Sequence, residues 1–195
     1  MVFADLFFLF AFLPAFIICY IVGVVIDRWL APDKECIPSS NTVKNFVLVV
    51  FSLIFYAWGE PVYVFLMLLS VLMNYIVGRV MDRADRWRKL ALWVGLACNL
   101  GVLGVFKYAG FFAEQINSLG IPCAIPDIAL PIGISFYTFQ SISYLIDVYR
   151  RESPAQSSYW GLLLYISMFP QLIAGPIVRY DTVVNEIHKR TITSD

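Results

Sequence analysis

The sequence predicts an all-α protein: a polytopic transmembrane helical bundle whose inner helices are broken or re-entrant. Three observations predict it. Hydrophobic residues make up 60% of the 195-residue chain and charged residues only 14%, whereas about a quarter of a soluble domain is charged. The mean hydropathy of +0.75 reflects apolar blocks long enough to cross a bilayer core, with too little polar side chain left to coat a water-soluble domain. The last two blocks also carry prolines, glycines and hydroxyls, a mixture tolerated at membrane depth only where protein or water satisfies the backbone.

The first span is expected over 6–26, about 31 Å of helix against a bilayer core of about 30 Å. Pro14 is expected to interrupt it. Asp5 stands where a signal peptide would carry basic residues, and no small-residue cleavage site follows, so the block reads as a retained helix. Residues 27–45 read as a polar loop. Spans over 43–58 and 61–78 form a helical hairpin around Gly59-Glu60-Pro61, with proline opening the second arm. Tyr56, Trp58 and Tyr63 sit where an aromatic belt would lie. A fourth span is expected over 90–106, then a separate interfacial helix over 109–119. Two further apolar stretches follow, 128–146 and 159–174, and a polar tail closes the chain. All belong to one membrane-embedded unit, 1–195.

Lysine and arginine set the orientation. The 27–45 loop holds Arg28, Lys34 and Lys44, and residues 79–89 hold five basic side chains, while the 59–61 turn has none. The positive-inside rule places the first two loops in the cytoplasm and the N-terminus outside. Net charge is zero, which gives no footprint for nucleic acid. Cys19 and Cys98 read as packing residues inside spans. Cys36 and Cys123 fall in loops on opposite faces, so no disulfide is expected and no zinc spacing occurs.

Chemistry concentrates in two segments. Residues 130–150, LPIGISFYTFQSISYLIDVYR, place Tyr137, Thr138, Ser141 and Tyr144 within an arc of about 120° on a helix. Such a stripe fits a helix lining a substrate channel, and fits equally a helix packed among others with its hydroxyls bonded to neighbouring backbone. Asp147, Arg150 and Arg151 read as a solvated helix end. Residues 169–180, FPQLIAGPIVRY, break a helix twice. Arg179 there suits an interfacial anchor, or a bidentate hold on a phosphate or carboxylate. Asn74 and Asn99 should hydrogen-bond between helices, and Gly95, Gly101 and Gly104 should allow close helix approach. His188, the single histidine, lies in a polar tail without an apolar pocket or orienting partner, and reads as solvated. Metalloprotease, nucleophile-elbow and P-loop patterns are absent.

Taken together, MVFADLFFLFAFLP at the start, FYAWGEP at 55–61, FKYAGFF at 106–112 and the two segments above resemble the membrane-bound O-acyltransferases, in their bacterial alginate O-acetyltransferase branch. Peptidoglycan O-acetyltransferases and the D-alanyl transferase of teichoic acids are related. The resemblance implies helices around a funnel or tunnel, and acyl transfer to a cell-surface polymer in the bacterial inner membrane. It implies a cytoplasmic thioester donor such as acetyl-CoA, no resident cofactor or metal, and an extracytoplasmic acetyltransferase partner. The family's signature histidine lies in a later segment than Asp195. His188 does not match it, so the chain is expected to be the N-terminal portion, inactive by itself. Ser135, Tyr137, Ser141, Tyr144, Gln171 and Arg179 are the candidate channel or substrate-lining positions. A non-catalytic membrane scaffold, or one half of a split acyltransferase, is the alternative, with peptidoglycan the alternative acceptor.

Overall fold

The computed structural model describes residues 6–30, 42–119 and 130–174, with Tyr180 and Thr182. Cys36, Cys123, Arg179 and His188 lie outside the described residues. Those described form helices and their connections, with no strand among them.

The first helix begins as a π-turn, Phe8–Phe12, and continues as α1, Leu13–Leu30. Pro14 therefore does not interrupt it. Proline lacks an N–H, and its ring crowds the carbonyl four residues back. The turn before it is widened, with the Leu13 N–H reaching the Phe8 carbonyl five residues away, which makes room for the ring. The helix also runs past residue 26, and Asp27 on its last turns is buried. Its carboxylate accepts the backbone N–H groups of Val43 (3.3 Å) and Lys44 (3.2 Å). Those are orphan donors at the start of α2, Thr42–Gly59, and a carboxylate there also suits the helix dipole.

The hairpin follows, through Glu60 and Pro61 into α3, Tyr63–Arg83. A 3₁₀ turn, Asp85–Trp87, leads into α4, Arg88–Ser118. The interfacial helix expected over 109–119 is the continuation of α4. Neither Lys107 nor Gly110 is a strong enough breaker, since one glycine costs a helix only about 1 kcal/mol. At 31 residues, α4 is about 46 Å long and overhangs a bilayer core. Among the described residues, three helical stretches are long and apolar enough to cross a membrane: Phe8–Asp27, Tyr63–Arg83 and Asp85–Gln115. Val43–Gly59 is a shorter apolar helix. This is a membrane protein, and the outward faces of these helices carry large apolar side chains such as Ile18, Phe65, Trp93 and Leu100.

Helix α5, Ile134–Arg150, packs against α3 and α4. Gly133 precedes it with φ 78°, a conformation glycine adopts without penalty. Glycine also sets the spacing along the helix. A Cβ at Gly95 would lie 2.6 Å from Leu145 Cδ1, and one at Gly78 would collide with the Tyr144 hydroxyl. Gly101 and Gly104 have open space beside them, so they do not serve close approach. Cys19 and Cys98 are exposed, so they face outward and are not packing residues. Asn74 and Asn99 exchange two amide hydrogen bonds, 3.1 and 2.7 Å, between α3 and α4. Each also donates to its own helix four residues back.

The end of α5 is solvated at Arg150 and Arg151, which are exposed, but not at Asp147. Asp147 is buried. Arg150 pairs with Glu152 at 3.5 Å, and Arg151 reaches Asp85 at 2.7 Å. Arg151 takes φ 61°, and the N–H groups of Arg151 and Glu152 turn back to the carbonyls of Val148 and Asp147, a Schellman closure. The remaining carbonyls are met from α4. Arg88 donates Nη2 to Val148 (2.6 Å) and Tyr149 (2.8 Å), and Nε to Tyr149 (3.1 Å). Arg88→Met is expected to cost about 1–2 kcal/mol, because it uncaps α5 and removes a cation from its negative end. Denaturant titration in micelles reads this, and an unchanged midpoint would show that Arg88 carries no stability.

Candidate functional site

The last apolar stretch is two short helices rather than one span: α6, Tyr159–Ser167, and α7, Phe169–Ala174. Met168 separates them, with φ −53° and ψ 113°. Pro170 accounts for the position of the break. Proline lacks an N–H and its ring crowds the carbonyl four residues back, so it is tolerated only in a helix's first turn, and α7 starts one residue before it.

A helix broken among other helices exposes carbonyls at one end and N–H groups at the other. Two buried side chains from different helices meet them. Gln140 of α5 donates Nε2 to the Tyr165 carbonyl at 2.8 Å. Ser52 of α2 accepts the Phe169 N–H through Oγ at 3.3 Å. The Gln171 N–H closes the turn on the Met168 carbonyl at 3.0 Å. Phe169 locks the other side. Its ring meets Phe8, Phe12, Phe16 and Phe55 with centroids 5.4–6.3 Å apart. The break is thus a built feature, held by α1, α2 and α5 together.

Polar atoms converge around it. The Tyr56 and Tyr137 hydroxyls, Ser167 Oγ and Gln171 Nε2 are buried and find no hydrogen-bond partner among the described residues. The Tyr180 ring meets those of Tyr144 and Tyr165 edge to face, with centroids 4.9 and 5.3 Å away. These phenols, hydroxyls and amides can orient a neutral polar group such as an ester, a thioester carbonyl or an alcohol. None is a group that titrates near neutrality, so the cluster supplies hydrogen bonds but no general base.

Tyr137, Thr138, Ser141 and Tyr144 share the buried face of α5. The Ser141 hydroxyl donates to the Tyr137 carbonyl at 2.7 Å, and the Tyr144 hydroxyl accepts the Gln156 N–H at 3.2 Å. Ser135 is half-buried on the first turn of α5, and Gln171 is half-buried on α7. Sequence reasoning did not single out Ser52, Gln140 or Ser167, and it placed Tyr56 in an aromatic belt, whereas the structure buries it. A glutamine inside a charge-free block was a signal for Gln140. A serine in an apolar run gives no comparable signal, because its partner lies 117 residues away.

Alignment with curated proteins runs over the whole of this chain. The chain is 37% identical to a probable alginate O-acetylase of Pseudomonas aeruginosa, over 100% of this chain and 36% of that protein. Over its whole length the chain is similar to alginate O-acetylases. A probable alginate O-acetylase of Azotobacter vinelandii is also 37% identical, over 100% of this chain and 38% of that protein. A peptidoglycan O-acetyltransferase of Helicobacter pylori is 29% identical over 91% of this chain and 37% of that protein. The chain therefore spans little more than a third of the length of these relatives. No family model matches it, and no solved structure matches it. The broken α6–α7 element and the buried face of α5 are thus features of an alginate O-acetylase homologue.

Proposed function

We propose that this chain is the part of a membrane O-acetyltransferase that supplies the broken-helix element, acting in O-acetylation of a cell-surface polysaccharide such as alginate. One observation carries the reading: the alignment with alginate O-acetylases runs through the whole chain, including the segment whose break Gln140 and Ser52 hold. The donor is a cytoplasmic acyl thioester such as acetyl-CoA. The acetyl group passes through the bundle to an extracytoplasmic acetyltransferase partner, and from it to the polymer. Ser135, Tyr137, Ser141, Tyr144, Gln171 and Arg179 are the positions proposed to face that path. The protein lies in the bacterial inner membrane with its N-terminus outside. Arg150 and Arg151 support this orientation, since they join the basic α3–α4 turn at the same end of the bundle.

The test is acetyl content. An alginate-producing strain deleted for its own acetylase is complemented with the whole reading frame that contains this chain, and separately with this chain alone. Restored alginate acetylation with the whole frame, and none with the chain alone, is the expected result. Unacetylated alginate alongside newly acetylated muropeptides would move the acceptor to peptidoglycan. Acetylation that appears only beside a second full-length homologue would replace catalysis with a scaffold role.

A further inference from the structure

The α3–α4 turn carries more cations than the fold uses. Arg88 is committed to the α5 carbonyls, and Asp85 is occupied by Arg88 (3.5 Å) and Arg151 (2.7 Å). Arg83, Arg86 and Lys89 are exposed within seven residues, and no ion pair engages them among the described residues. Asp82 is the one further carboxylate on the turn, and Arg79, half-buried one helical turn before Arg83, offsets it.

The apolar surroundings say what kind of anion fits. Trp87 is exposed on the same turn, with the Arg86 guanidinium 5.9 Å from its ring. Directly below, Leu90, Trp93 and Val94 are exposed on α4, at spacings of four, seven and eight residues from Arg86. By spacing those three share one face of α4, and Arg86 lies on the 3₁₀ turn that leads into that helix. That face continues past Ala97 and Cys98, both exposed, to Gly101, which has open space where a side chain would lie. A cationic rim, an indole at interfacial depth and a smooth apolar strip beneath match an acidic phospholipid: phosphate at the rim, acyl chain along α4. A soluble nucleotide or free phosphate has no use for the strip.

We propose that Arg83, Arg86, Trp87 and Lys89 form a binding site for the headgroup of an anionic phospholipid, with its acyl chain laid along the Leu90–Val94 face. The site is separate from the broken α6–α7 element and does not depend on the proposed acetyl transfer.

Brominated lipids quench nearby indoles, so relative affinity is read from tryptophan fluorescence in mixed micelles. The 195-residue chain is titrated with brominated phosphatidylglycerol and with brominated phosphatidylcholine at 0.15 M salt. Each cation near an anionic surface contributes on the order of a fivefold preference. The expected result is a preference of about tenfold or more for phosphatidylglycerol, falling to about twofold or less in R83Q/R86Q/K89Q. Because all three side chains are exposed, the circular dichroism of the variant should match that of the parent. W87F/W93F should remove most of the selective quenching, and K107Q, about five turns further along α4, should leave it intact. Equal quenching by both lipids, or a preference surviving in the triple variant, overturns the proposal. Displacement of phosphatidylglycerol by inorganic phosphate, compared with chloride at equal ionic strength, would also overturn it by assigning the site to a soluble anion.

Discussion

Replacing Gly78 with alanine is expected to destabilise the bundle by about 2 kcal/mol, and with valine by about 3 kcal/mol. Gly78 sits on α3 where α5 crosses it, and an added Cβ would collide with the Tyr144 hydroxyl and lie 3.0 Å from both Cε1 and Cζ of the ring. Tyr144 cannot swing away. It is fully buried, its hydroxyl accepts the Gln156 N–H, and the Tyr180 ring closes on it at 4.9 Å. The strain must therefore fall on the α3–α5 spacing. Tyr144→Phe removes the nearest atom but not the ring carbons, so it should return about 1 kcal/mol of the Gly78→Ala loss in a double-mutant cycle. Unfolding midpoints in micelles measure all four proteins. Strict additivity of the two single changes would mean that the helices do not meet at this pair. Gly101→Ala, at a site with open space, is the control expected to cost nothing.

The second large effect is expected at the break. Gln140→Leu leaves the Tyr165 carbonyl without its donor, and Ser52→Ala leaves the Phe169 N–H without its acceptor. Each orphaned group costs about 1–3 kcal/mol when buried, and nothing at membrane depth replaces it as readily as water would. The two changes act on opposite sides of Met168, so the double variant should lose close to the sum. Acetyl transfer by the whole protein should fall at least tenfold in Gln140→Leu, since the residues after Met168 lose their fixed direction. Gln140→Glu separates the two roles. A protonated glutamic acid can still donate to the carbonyl, whereas leucine cannot, so the glutamate variant should keep more acetylation in acidic medium than near neutrality. Full acetylation by Gln140→Leu would remove the break from the mechanism.

Much of this protein was legible before any coordinates. Apolar block length and low charge identify a membrane helical bundle, because a bilayer imposes both requirements on every spanning helix whatever its neighbours. Pro170 announced a broken inner helix for the same local reason, as its ring crowds the turn before it; Gly175 and Pro176 lie outside the described residues. Asn74 and Asn99 were recognisable as interhelical donors, since an amide in an apolar span must find a partner.

What the sequence left open required distance across the fold. The stripe on α5 suited a channel and a packed interface equally, because periodicity reports which residues share a face but not what that face meets. The structure sets Tyr144 against Gly78 and spends the Ser141 hydroxyl on its own helix. Asp147 read as solvated because charge beside arginine usually is; the fold buries it while leaving Arg150 and Arg151 exposed. The continuity of α4 through residue 109 was hidden because lysine and glycine weaken an apolar pattern without breaking a helix. Ser52 and Gln140 became a pair only when the break between α6 and α7 brought two orphaned backbone groups to them. The sequence by itself determined the solvent this protein lives in and the break beside Pro170, while the breaks it suggested at Pro14 and before residue 109 are not made. Tertiary structure alone decided which polar groups answer one another, because hydrogen bonds are satisfied by atoms near in space, and here those atoms are 25 and 117 residues apart in the chain.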